Sequence, residues 1–332
     1  MRSLVAVLSV VVLFGCSVER FIPEDEYLYT KETVNITPDT VVENLEAIRT
    51  DLKAALRPEP INSFLGGYPG LYYHYKAQRE KPGFINKFLN KKFGKEPVYA
   101  SDIETYEMEQ ILLNRLENKG YFYSIVSSEI VRDTSDKTAE AIYSLRLAKP
   151  YRLQTYQLDT DTLPVYSKIK TSMNETLLKS GMNFDLSAMK SERNRIDSYL
   201  KEEGYYNFNS GFLIFETDTN QYRNKRFDLY LRLKKDVPQK AVVPYKLSKI
   251  NIYPNNRVDV DSAALDTTRY AEKNFIQDEE YFKPKRLDPY VLLEEGDLYS
   301  PAKSKATGRR LGNIGAYKFV NIRYDEIKGS SE

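Results

Sequence analysis

LENKGYFYSIVSSEI, residues 116–130, sets the reading of the whole chain. A leucine is followed four residues later by a glycine, then by aromatics, then by a run with the composition of a strand. The same order returns in LKEEGYYNFNSGFLI at 200–214 and in LGNIGAYKFVNIRYD at 311–325. Gly120, Gly204 and Gly315 therefore mark a repeat, with spacings of 84 and 111 residues. A period of that size belongs to an array of similar units.

A helical pattern precedes each glycine. In SDIETYEMEQILLNRLENKG, Met108, Ile111, Leu112, Arg115 and Leu116 share a stripe, with Ser101 as N-cap and Glu104 completing a capping box. In DLSAMKSERNRIDSYLKEEG the stripe is Leu186, Met189, Ile196 and Leu200, capped by Asp185. The third, SPAKSKATGRRLGNIG, has Ser300 as cap and Pro301 at the first helical position. The closing glycine of each suits a left-handed residue just past the helix end.

Strands follow. AIYSLRL (141–147) turns Tyr143, Leu145 and Leu147 to one face. RFDLYLRLKK turns Phe227, Leu229, Leu231 and Leu233 inward and Asp228, Tyr230, Arg232 and Lys234 outward. The polar links DTSDKT and TDTNQYRNK suit hairpins. A strand also opens each unit, at 27–36, 151–159 and 245–254, with further helices at 40–56 and 164–181. The expected fold class is α+β: tandem β-α-α-β-β domains, the last incomplete, each a sheet covered by two helices. Their bounds are 27–149, 150–237 and 243–332. The first carries an insertion at about 58–100, and its KFLNKKFGK reads as a solvated basic turn, with acidic headgroups as the alternative contact.

Composition closes several doors. Lys plus Arg total 49 against 47 Asp plus Glu, so no strong field calls for nucleic acid. His74 and Cys16 are the sole residues of their types, which leaves no cluster for zinc and no disulfide within the chain. A nucleophile system would have to run through His74, in a stretch rich in Gly and Tyr. No P-loop and no GxGxxG occur. The spaced carboxylates of LDTDTLP (158–164) and VDVDSAALD (258–266) lack the Gly and Glu of a calcium loop and read as loops. The expectation is a chain without metal or cofactor, and not an enzyme.

Residues 1–16, MRSLVAVLSVVVLFGC, begin with Arg2 and carry an apolar run from Leu4 to Phe14. That run is too short to span a bilayer, which takes roughly 20 residues, and fits a secretory leader. Its end, Leu13-Phe14-Gly15-Cys16, resembles the lipobox of bacterial lipoproteins, which implies cleavage before Cys16 and lipidation of its thiol. Residues 17–26 would be the tether.

The order of these elements resembles the POTRA arm of the BamA/TamA family, and most of all its lipidated TamA-like (TamL-type) branch. The residues that carry the likeness are GYPGLYY (67–73), SGMNFDLSAMKSERNRI (180–196) and EEGDLYSPAKSKATGRRLGNIGAYKFVNIRYD (294–325). The resemblance implies sheets whose third strand is central and whose second strand is an edge. Edge strands would then lie at Tyr123–Val131, Phe208–Glu216 and Phe319–Tyr324, with Tyr123, Ile125, Phe208, Phe212, Ile214, Val320 and Ile322 as contact residues. It implies a periplasmic arm on the outer membrane that binds client barrel proteins by strand addition, with a TamB-like periplasmic partner. The family's barrel has no counterpart here, and the third unit is expected to stop before its last strand. A stand-alone envelope adaptor built from the same domains is the alternative.

Overall fold

The computed structural model describes residues 18–64, 67–255 and 266–327. Its compact units are two. Unit 1 comprises residues up to Arg152 together with Asn183–Asp185, and unit 2 comprises Leu153–Met182 with everything from Leu186 onward.

Unit 1 is built on a three-stranded sheet in the order β1-β3-β2, where β1 is Leu28–Pro38, β2 Ile125–Asp133 and β3 Thr138–Leu147. β3 pairs with β1 in parallel and with β2 antiparallel. Parallel neighbours need a long crossover, and here it carries helix α1 (Leu45–Lys53), the insertion, and helix α4 (Thr105–Glu117). Period-two alternation on β3 sends Ala139, Ala141, Tyr143, Leu145 and Leu147 inward. Ala141, Tyr143, Leu145 and Leu147 meet Ile48 and Leu52 of α1 and Met108, Leu112 and Leu116 of α4 in one core. Each such leucine, fully buried, contributes about 1.5–3 kcal/mol.

Two local readings change. Helix α1 starts at Leu45 rather than 40, because Asn44 takes a left-handed conformation at φ 62°. Ser101 does not cap α4. It sits in a single 3-10 turn, Ala100–Asp102, and donates to Glu26, while α4 begins after Glu104. The insertion is also helical where loops were expected: α2 spans Pro69–Ala77 and α3 spans Phe84–Phe93. Pro69 sits at the first helical position of α2, where its missing N–H is harmless.

Unit 2 begins with a sheet of the same order, β4-β6-β5: β4 Arg152–Leu158, β5 Leu213–Asp218, β6 Arg226–Leu233. Helices α5 (Pro164–Ser172) and α6 (Leu186–Glu202) cover it, joining Val165, Ile169, Ile196 and Leu200 to Leu213, Leu231 and Leu233. Asp228, expected outward, is buried and accepts hydrogen bonds from Thr155 Oγ1 at 2.6 Å and Tyr222 Oη at 3.1 Å.

The third repeat departs from the order read in the sequence. Its sheet is β7-β9-β8, with β7 Asn251–Ile252, β8 Asp266–Tyr270 and β9 Lys273–Gln277. The hairpin precedes the helices α7 (Pro284–Leu287) and α8 (Pro301–Gly312) instead of following them. Ala271 and Glu272, both at positive φ, make its two-residue turn. Residues 319–324 form no strand. Val320 and Ile322 pack instead against Phe275, Leu287 and Leu311. Ser300 does cap α8, accepting Lys303 N–H at 3.1 Å.

Candidate functional site: sheet edges and a repeated backbone clasp

The same backbone bonds hold the chain at the starts of β1 and β4 and, in the third repeat, at Tyr245–Leu247 ahead of β7. Ala100 N–H donates to Tyr27 O at 2.8 Å, Phe184 N–H to Tyr151 O at 2.8 Å, and Tyr299 N–H to Tyr245 O at 2.9 Å. Two residues further on, Tyr29, Leu153 and Leu247 donate to the carbonyls of Val98, Met182 and Asp297 at 2.8, 2.9 and 2.8 Å. The carbonyls of Leu153 and Leu247 each accept a glycine N–H at 2.7 Å, from Gly181 and Gly296. Those glycines lie at φ 85° and 87°, left-handed backbone that favours glycine. At Tyr29 the insertion supplies the donor instead, Ile61 N–H at 2.8 Å.

The repeat glycines complete this clasp. Gly120 O accepts Tyr151 N–H at 2.9 Å, and Gly204 O accepts Tyr245 N–H at 2.8 Å. The two aromatics that follow each have distinct tasks. Tyr121 and Tyr205 go into the cores. Phe122 packs edge-on against Tyr151 and Phe184, with ring centres 5.6 and 5.1 Å away. Tyr206 packs in the same way against Tyr245 and Tyr299, and Tyr324 joins that group. Gly315 keeps a positive φ of 74°, with nothing within 4 Å of the place a Cβ would take.

β2 and β5 are outer strands of their sheets, and the outer strands opposite them, β1 and β4, carry the clasp at their starts. Ile125 opens β2 and is exposed; Tyr123, also exposed, precedes the strand at φ 66°. Val131 is exposed near the far end of β2, among Glu129, Arg132 and Asp133. β5 offers less than expected. Phe208 is buried in the core and Phe212 lies in a 3-10 turn against it, so the strand starts at Leu213 and holds Ile214 alone of the three. Arg193 Nη1 also reaches the Leu213 carbonyl at 3.2 Å. Cys16 lies outside the described residues.

His74 is half-buried on α2 and pairs with the Gln78 side chain at 2.8 Å. Asp159 and Asp161 accept backbone N–H groups of their own loop. Among the described residues, no group of three His, Cys, Asp or Glu is arranged to hold a metal, and no helix is long and apolar enough to cross a membrane. Shifted protonation sits mainly on buried tyrosines, such as Tyr143, whose phenol is pushed up to about 12 by burial and then by the charges of Glu32 and Glu109. A hollow of about 660 Å³ is open and lined by Lys285, Arg286, Pro289, Tyr290, Arg310 and Asn313.

The class these features define is a tandem α+β array of three-stranded sheets, each with an outer second strand. Neither a protein-family model nor a curated protein matches the chain. Solved structures of low identity do. The POTRA3-5 segment of BamA from Haemophilus influenzae matches at 13% identity over 93% of this chain and 94% of that one, with a TM-score of 0.38. POTRA1-3 of Omp85 from Anabaena matches at 11% identity over 91% of each chain, with a TM-score of 0.30. CdiB from Escherichia coli matches at 10% identity over 68% of this chain and 32% of that one, with a TM-score of 0.22. The fold assignment rests on the strand order of the sheets, not on these overlays.

Proposed function

We propose that the chain is the periplasmic POTRA arm of a lipid-anchored outer-membrane assembly or translocation factor, with a binding rather than a catalytic role. The observation that carries this is the twice-repeated sheet order, β1-β3-β2 and β4-β6-β5, which puts the second strand at the edge. An edge presents main-chain N–H and C=O groups to which an extended polypeptide can add as a further strand. Affinity then comes from the backbone, which suits clients of varied sequence such as barrel strands. β2 is the better edge, with nine residues against six in β5. On this reading Cys16 carries the lipid, and a large TamB-like periplasmic protein is the partner, as the sequence resemblance implies.

A photo-crosslinker at Ile125 or Val131 should capture outer-membrane clients, and the same probe at Tyr106 on α4 should not. A proline pair sharpens the test. On an edge strand successive N–H groups alternate between the neighbouring strand and open solvent. Of Ser127→Pro and Ser128→Pro, one removes a ladder bond to β3 and lowers stability by about 1–3 kcal/mol. The other leaves stability within about 1 kcal/mol of the parent and should abolish capture. Undiminished capture by both variants would exclude β2 as the site.

A further inference from the structure

Helix α3 turns an apolar face to solvent. Phe84 is 84% exposed, Ile85 70%, Phe88 54% and Phe93 53%. Helical geometry places Phe84, Ile85, Phe88 and Lys92 within one sector, with Lys87 and Lys91 along its flank. Leu89, Asn86 and Asn90 face the protein and are half-buried. Between residues 76 and 95 there are seven lysines or arginines and one glutamate, although the whole chain carries only +2. Aromatic side chains ringed by lysine on one helix face match a bilayer surface with anionic headgroups: rings enter the interface and ammonium groups meet phosphates.

A second, independent observation concerns the start of the chain. Val18 and Ile22 are buried against Leu71 of α2 and Leu28. Phe21 stacks on Tyr75 of α2 at 5.4 Å, with Arg20 and Arg79 over its ring. Helix α2 in turn lies close on α3: Lys95 N–H donates to Gly70 O at 3.1 Å, and a Cβ on Gly70 would come within 3.0 Å of Phe93 O. Only Ser17 stands between Cys16 and Val18, and two residue steps reach at most about 7 Å. A lipid on Cys16 would therefore enter the membrane beside α2 and α3.

We infer that the exposed face of α3 docks on an anionic lipid surface and fixes unit 1 against the membrane. The lipid on Cys16 belongs to the proposed function; the α3 face does not depend on it.

The chain contains no tryptophan, so Phe88→Trp and Phe84→Trp are single fluorescent reporters at exposed sites, with Tyr106→Trp on α4 as control. Full-length chain is mixed with phosphatidylcholine vesicles that contain or lack phosphatidylglycerol. Tryptophan at 84 and 88 should shift to the blue and be quenched by brominated lipid in the anionic vesicles, with Cys16 intact or as Cys16→Ala, and tryptophan at 106 should do neither. Replacing Lys87, Lys91 and Lys92 together by glutamine should lower partition roughly a hundredfold. No shift at 84 and 88 on anionic vesicles overturns the inference, as does partition that ignores the lysines. A blue shift that grows with protein concentration in the absence of lipid assigns the face to a second copy and overturns it too. Crosslinking at Ile125 reads strand addition separately, so either proposal can fail alone.

Discussion

Glu192→Ala should lower the stability of unit 2 by about 3–5 kcal/mol, the range for breaking a buried ion pair from one side. The Glu192 side chain is fully buried on α6. Arg195 grips it with two bonds, Nη2 to Oε1 at 2.8 Å and Nε to Oε2 at 2.9 Å, and Leu177 N–H donates to Oε2 at 3.0 Å. Without the carboxylate, the guanidinium, itself mostly buried, and the amide of the loop before α6 lose their acceptor. Burial alone would raise the Glu192 pKa. The hydrogen bonds from Arg195, the Leu177 amide and Thr176 outweigh it and hold the carboxyl below its ordinary value of 4.5. A depressed folded-state pKa means the contribution is present above that value and lost as the pH falls below it. Thermal melts of the parent should therefore drop on acidification below 4.5, and those of Glu192→Gln should drop less. Equal acid sensitivity of the two would remove Glu192 as the cause.

Gly120→Ala and Gly204→Ala form the second large effect, and Gly315→Ala is their control. All three glycines are left-handed, at φ 85°, 94° and 74°, which costs an alanine about 1–2 kcal/mol. Only the first two also meet an obstacle. A Cβ on Gly120 would lie 2.8 Å from Phe184 Cβ, and one on Gly204 would lie 3.0 Å from Leu298 Cδ2 and 3.2 Å from Pro244 Cβ. Crowding of this kind adds about 1–3 kcal/mol and strains the carbonyls that hold Tyr151 and Tyr245. Denaturant midpoints should rank Gly315→Ala closest to the parent and Gly120→Ala furthest from it. If all three coincide, backbone conformation is the whole effect and the close packing carries none.

Local signals agreed in the first two repeats, and there the sequence was readable. Alternation on 141–147 and 226–233, helical stripes ending at Leu116 and Leu200, and glycines past the helix ends all asked for one arrangement. The third repeat misled because its hairpin turns on Ala271-Glu272, without the Gly, Asn or Asp that announces such a turn. Residues 319–324 alternated like a strand but serve as cover for a core. Phe208 had the same ambiguity: an aromatic after a helix-ending glycine can plug the core or open a strand, and only the packing of Tyr205 and Phe212 around it decides. Helices α2 and α3 were hidden by glycine and proline content, although Phe84, Phe88 and Lys87, Lys91 already showed four-residue spacing. The clasp itself joins residues such as Tyr29 and Val98 that are far apart in the chain, so no local pattern could report it.

Ile61 and Val98 both bind Tyr29, one through its N–H and one through its carbonyl. The insertion thus leaves the domain and returns to it at the same residue of β1. A segment with its two ends stitched side by side behaves as a cassette: residues 62–97 can be excised and bridged by a short turn while the domain beneath keeps its sheet. The main loss is Leu71, which shields Leu28, Val18 and Ile22. Related chains could gain, drop or exchange such a cassette without redesigning the fold that carries it.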